Sequence, residues 1–205
     1  MNRWFIAALL PVLVISSVAH ASVLTTEFAE NNDQSGNMFN VVTLGNALTV
    51  TGLDLNLGQE GIQTIDVYET TGSWVGAAST PSDWKLVASG SVDSTGINTP
   101  TLLNTDFTLS ADSTTGLYIT TLGTDSMYYT DGTAVGAVAA SNANLEILQG
   151  AGVEYSFGEI FTPRIWNGSI IYNVDPSTTV PEPASLSLVG LALLAMAVVR
   201  RKLQR

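Results

Sequence analysis

The 205-residue chain sets 18 Asp and Glu against 7 Lys and Arg, a formal net charge of −11 at pH 7, and contains one histidine and no cysteine. So acidic a chain is no partner for nucleic acid, because phosphate recognition needs clustered Lys and Arg. Without cysteine it has no disulfide, no thiolate nucleophile and no iron–sulfur ligation.

Residues 1–21 start with the basic Arg3, run apolar from Trp4 to Val18 and end in the small-x-small triplet Ala19-His20-Ala21. This is the pattern of a secretory signal peptide cut before Ser22, and Pro11 inside the apolar run argues against a retained membrane helix. His20, the single histidine, leaves with it. From about Ser22 to Thr179 the chain keeps only Lys85 and Arg164 as cations against seventeen carboxylates, a net of −15, and has neither His nor Cys. No Ser-His-Asp triad, zinc site of the usual kind or haem ligation is then available. The body is expected to be non-enzymatic and to carry no cofactor or metal. A domain of this size buries roughly 68–70% of its unfolded surface, so one core suffices without disulfides.

From Met38 to Val174 short β-rich runs alternate with clusters of Gly, Asn, Asp, Ser and Thr, and no stretch shows a helical period. Strands are predicted at 41–44, 48–57, 64–69, 85–89, 106–109, 116–120, 145–148 and 169–174. In the second, the apolar phase slips at Gly52, which predicts a bulge. Eight or more short strands imply an all-β, two-sheet β-sandwich over residues 22–174, of jelly-roll type, with an immunoglobulin-like order as the alternative. The segment from Gly72 to Trp84 reads as a long loop able to hold a mobile excursion.

Candidate sites fall in the loops. Trp74, Trp84, Trp166 and Tyr128 are candidate glycan-binding rings, because aromatic faces stack on sugars and Asp83, Asn167 and Glu69 lie near them in sequence. The competing reading is that the indoles are core: Trp74 and Trp84 plug the loop onto the sandwich and Trp166 opens the last strand, as burial statistics for large aromatics favour. Tyr128, in Tyr128-Tyr129-Thr130-Asp131-Gly132, is the ring expected to be exposed. Arg164, between Pro163 and Trp166, is expected to pair with a carboxylate and stack on an indole. Asn167-Gly168-Ser169 matches a glycosylation acceptor but reads more simply as a turn. Glu30-Asn-Asn-Asp33 and Asp125 with Asp131 offer oxygens for calcium without the spacing of a calcium loop, so no metal is assigned. Two of the many carboxylates would suffice for a glycoside hydrolase, but their scatter is that of a solvated face.

Residues 175–180 form a polar linker. The chain then reads Pro181-Glu182-Pro183, an uncharged apolar run at 184–199, and a basic end at 200–205 with Arg200, Arg201 and Lys202. The prolines fix φ and remove backbone donors, leaving an extended, protease-accessible step. The apolar run is expected to form a membrane helix, slightly short of a hydrocarbon core of roughly 30 Å. The cations are expected to stay cytoplasmic, which places the body outside. An ordinary C-terminal anchor would show the same hydrophobicity and charge.

Triplet, short helix and Arg-rich end in this order resemble the PEP-CTERM sorting signal of Gram-negative bacteria. The resemblance covers residues 180–205. It implies recognition and cleavage by exosortase, transient residence in the inner membrane, release to the cell surface or extracellular matrix, and association with exopolysaccharide and biofilm. The body, through Phe39-Asn-Val41, Ile65-Asp-Val-Tyr68, Gly72-Ser-Trp74, Gly116-Leu-Tyr-Ile119, Pro163-Arg-Ile-Trp-Asn-Gly168 and Ile171-Tyr172, resembles the extracellular β domains of choice-of-anchor families, which implies an architecture and no activity. The expected function is that of an exported surface or matrix protein. The alternatives are a carbohydrate-binding module and, behind it, a glycoside hydrolase.

Overall fold

Runs of alternating Val, Ile, Leu and Thr pair into antiparallel strands, as a half-buried pleated surface favours. The computed structural model describes residues 21–122 and 127–175. The expected signal peptide through His20, Asp125, most of the linker, Pro181, Glu182, Pro183, the apolar run at 184–199 and the basic cluster Arg200, Arg201 and Lys202 lie outside the described residues. In chain order the strands are β1 (Ser22–Thr25), β2 (Asn32–Gln34), β3 (Gly36–Thr43), β4 (Leu48–Asn56), β5 (Gly61–Thr71), β6 (Lys85–Ser94), β7 (Pro100–Leu109), β8 (Thr114–Thr121), β9 (Met127–Asp131), β10 (Val138–Ser141), β11 (Leu145–Leu148), β12 (Gly150–Val153), β13 (Ile160–Trp166) and β14 (Gly168–Val174). A single helical turn, α1 (Trp74–Ala77), sits between β5 and β6.

One sheet has the order β1-β14-β4-β7, the other β2-β9-β13-β12-β3-β8-β5-β6, with β10 and β11 extending the second beside β3. Eight strands (β1, β3, β4, β5, β6, β7, β8, β14) lettered B to I give B-I-D-G facing C-H-E-F, the jelly-roll order. The fold is therefore the expected two-sheet sandwich. The chain between β8 and β14 is an insertion that widens the second sheet past β3.

Leu48, Val50, Leu53 and Leu55 from one sheet face Phe39, Val41, Ile65, Val67, Leu117 and Ile119 from the other, all fully buried. Each such side chain stabilises the fold by roughly 1.5–3 kcal/mol. The phase slip at Gly52 is real: register shifts between Val50 and Gly52 against β7, and at the matching point against β14. Pro163 sits in β13 at a register shift against β12, where a residue without an N–H does least harm.

β1 begins at Ser22, opposite Tyr172 of β14. The other end of the domain is fastened nearby, since the Asp175 N–H donates to the Ala47 carbonyl at 2.9 Å and the Thr49 hydroxyl to the Asp175 carboxylate at 2.8 Å. The first strand after the expected cleavage point is thus hydrogen-bonded to the last strand before the tail, and both ends leave from one pole of the sandwich.

At Gly150 β12 comes hard against β3: an added Cβ would collide with the Met38 carbonyl and the Phe39 Cα, both backbone. Gly150→Ala is expected to cost about 1–3 kcal/mol by overpacking, read as a lower denaturant midpoint at unchanged slope. A midpoint within error of wild type would show that β12 can move away freely.

Candidate aromatic site and the sorting signal

Along β5 the residues alternate: Ile65 and Val67 enter the core, while Asp66 and Tyr68 point to the outer face of the second sheet. Pairing across the strands sets Leu86, Tyr68, Tyr118, Met38 and Ala151 side by side in one row on that face. Two connections fold over the row. The first, between β5 and β6, lays Trp74, Ala77, Ala78 and Trp84 on it. The second, between β12 and β13, brings Phe157.

The first connection is ordered from its residues upward. Ser73 caps α1 by accepting from the Val75 N–H at 3.3 Å, and Asn40 of β3 accepts from the Trp74 N–H at 3.0 Å and donates to the Ser73 hydroxyl at 3.0 Å. Gly116 makes room, since a Cβ there would strike Thr70 and the Trp74 backbone. The Trp84 indole donates to the Ala77 carbonyl at 3.0 Å. The segment expected as a mobile excursion is therefore a fixed plug, because two indoles and two alanines give it a core of its own.

Four rings meet on the row. Phe157 lies 4.9 Å from Tyr118, 5.5 Å from Tyr68 and 6.0 Å from Trp84, and Tyr68 stacks on Tyr118 at 5.8 Å. Phe157 holds φ at +56°, a backbone strain its ring packing offsets. Tyr118 and Trp84 are buried and Tyr68 and Phe157 half-buried, while Tyr155 is 48% exposed, makes no ring stack with them, and lies near enough to interact electrostatically with Tyr68 and Tyr118. The Tyr68 phenol donates to Asp66 Oδ2 at 3.1 Å. The buried Tyr118 hydroxyl makes no hydrogen bond among the described residues, and the Thr120 hydroxyl and Phe157 backbone near it only temper the rise that burial gives its pKa.

Burial, and then the neighbouring Asp66 carboxylate, push the Tyr68 phenol up to about 12 from 10.0. Burial also raises Tyr118, Tyr128 and Tyr129. A raised folded pKa means that the unfolded chain ionises first, so this stability is complete below pH 10 and is lost as pH climbs through about 12. Alkaline titration is expected to show unfolding and phenolate absorbance rising together in that window. Ionisation completed near pH 10 with the fold intact would contradict it.

The rings proposed from sequence lie elsewhere than on an open face. Trp74 and Trp84 are buried within the plug, and Trp166 is in the main core, stacked on Phe39 at 4.7 Å. None of the three presents a face to a sugar. Tyr128 is half-buried, its ring lying where a side chain on Gly58 would be. Its neighbour Tyr129 is buried and hydrogen-bonded through its hydroxyl to the Asp33 carbonyl at 3.1 Å. Arg164 pairs with Asp131 at 3.3 Å as expected, but stands over the Tyr129 ring at 5.8 Å and not over an indole. Asp131 also accepts from Asn31 and Asn32, so its carboxylate is fully engaged by amides and guanidinium. Asn167 is buried, its amide donating to Thr130 at 3.0 Å, and it is the single residue between β13 and β14; Gly168 and Ser169 already belong to β14, so the acceptor triplet is a strand entry and not the expected turn. Sequence reasoning did not single out Tyr68, Tyr155 or Phe157. Tyr68 was findable from strand alternation, since Ile65 and Val67 fix which face it takes.

A concavity of about 200 Å³ opens where the sheets part, lined by Glu69, Thr71, Thr108, Ser113 and neighbouring hydroxyls. Its one carboxylate is taken by Lys85 at 3.0 Å. Among the described residues no group of three acidic or metal-ligating side chains gathers, and no helix is long and apolar enough to cross a membrane.

A jelly-roll domain closed by its own first and last strands, followed by a triplet, an apolar run and a basic end, defines an exported all-β protein with a C-terminal sorting segment. Residues 179–202 match the PEP-CTERM protein-sorting motif, so the chain carries that sorting signal. It is exported across the inner membrane, processed by exosortase, and located at the cell surface or outside the cell thereafter. No curated protein matches the sequence. Solved structures similar to the chain include those of infectious bursal disease virus Gt strain (12% identity, 88% of this chain and 48% of that one, TM-score 0.26) and Gx strain (11%, 90% and 49%, 0.26). The infectious bursal disease virus VP2 subviral particle is also similar (13%, 86% and 47%, 0.22). The chain spans about half the length of these viral chains.

Proposed function

We propose that the protein is a non-enzymatic component of the cell surface or exopolysaccharide matrix. The observation that carries this reading is the join between fold and processing. The domain is closed by β1 and β14, so removal of both targeting segments leaves it whole. The acidic body stays soluble beside anionic polymer, and its composition lacks the histidine and cysteine on which most hydrolytic and redox sites depend.

Mass spectrometry of the protein from cell, membrane and extracellular fractions tests it. The expected product begins at Ser22, ends near Pro181 and is retained with the polysaccharide matrix. A product of full length in the cytosol, or one that turns over a polysaccharide, would refute the reading. A second reading, carbohydrate binding at the surface, is favoured by one observation, the partly exposed ring cluster of Tyr68 and Phe157 with the exposed Tyr155 near it.

A further inference from the structure

We infer that the outer face formed by Tyr68, Tyr155 and Phe157 binds neutral hexose units of an extracellular glycan. This rests on the carbohydrate-binding reading and names its site and ligand class.

The rings supply the face. Tyr155 is half exposed, Tyr68 and Phe157 are partly so, and Leu86, 50% exposed, lies next to Tyr68 across the β5–β6 pair. Beneath them Tyr118 and Trp84 are buried and hold Tyr68 and Phe157 in place, so those two rings lose little freedom when a ligand arrives. An aromatic surface fixed from below and open above matches the C–H face of a pyranose. The next row toward the opposite pole supplies polar groups: Asp66, opposite the exposed Ser89 on β6. Asp66 accepts hydroxyl protons, and Ser89 donates or accepts, as a sugar edge requires.

Charge narrows the ligand. The Asp66 carboxylate lies at the Tyr68 hydroxyl, and Glu154 and Glu159 are exposed in the connection that carries Tyr155 and Phe157. Both cations of the body are engaged elsewhere: Lys85 pairs with Glu69, and Arg164 with Asp131. A glycan bearing carboxylates would meet repulsion without a counter-charge, whereas neutral hexoses meet none.

Affinity electrophoresis of the processed protein tests this against three neutral polymers (hydroxyethyl cellulose, dextran, galactomannan) and against alginate. Retardation by at least one neutral polymer and not by alginate is the expected result. Tyr155→Ala should weaken it about tenfold, the worth of one stacked ring. Asp66→Asn should weaken it less, and Val138→Ala on β10 should leave it unchanged. Melting curves confirm that the variants fold, which is expected because Tyr155 is half exposed. No retardation by any neutral polymer, preference for alginate, or undiminished binding by folded Tyr155→Ala overturns the inference. Correct ends and an extracellular location without glycan binding would sink this site alone. Binding by an unprocessed cytosolic protein would sink the matrix reading and leave the site standing.

Discussion

Trp166→Ala is expected to lower stability by about 3–5 kcal/mol, with a fall of roughly 10 °C in melting temperature for a domain of this size. Trp166 is 1% exposed at the end of β13, where the insertion returns to the core, and its ring stacks on Phe39 with an 11° interplanar angle. It also covers Gly168, where any Cβ would collide with the indole, so the entry into β14 is built around it. Truncation leaves a cavity between two paired sheets whose strands are pinned by their neighbours, and such a site collapses poorly. The indole N–H has no partner, so the loss is one of packing and not of hydrogen bonding. Trp166→Phe, which keeps the stack, should recover about half of the loss. Thermal melts and denaturant curves of both variants check the argument. A loss below about 1 kcal/mol for alanine would mean that the sheets close around the gap.

The sandwich was legible where alternation was strong. Leu48 to Leu57 shows both its inward phase and its slip at Gly52, because apolar side chains must face one core and a bulge reverses which ones do. β12 was invisible, since Gly150-Ala-Gly-Val153 has almost no side chains to pattern. Its glycines are there because β3 and the Tyr129 ring approach too closely for anything larger. β13 was hidden by Pro163, which reads as a breaker and is accommodated at a register shift. The competing core assignment of the indoles follows from size alone. The outer ring cluster depends on non-local pairing, since Tyr68, Tyr118 and Phe157 come from three separated segments and only the register of β5 against β8 brings two of them together. Tyr155 is placed by a connection between β12 and β13, neither of which sequence patterning revealed.

Replacing Pro181 and Pro183 together by alanine is expected to abolish release while leaving the domain folded. The domain ends at Val174 with Asp175 fastened to Ala47 and Thr49, upstream of the matched motif at 179–202, so fold and signal share no residues. In the sequence the two prolines keep an exosortase-accessible step between that closed domain and the apolar run at 184–199. Alanine restores two backbone N–H groups and full helical propensity, which should remove the extended, protease-accessible step that the two prolines are expected to impose. The variant should accumulate in the inner membrane with its basic tail attached, and its extracellular pool should vanish. A second substitution separates recognition from anchoring: changing Arg200, Arg201 and Lys202 to serine removes the positive-inside signal, so the tail should slip through the membrane and the protein should be found uncut in soluble form outside it. Fractionation with mass spectrometry of the C-terminal peptide reads both. Normal cleavage and release of the double proline variant would show that the enzyme reads the apolar run or the cations and not the bend before them.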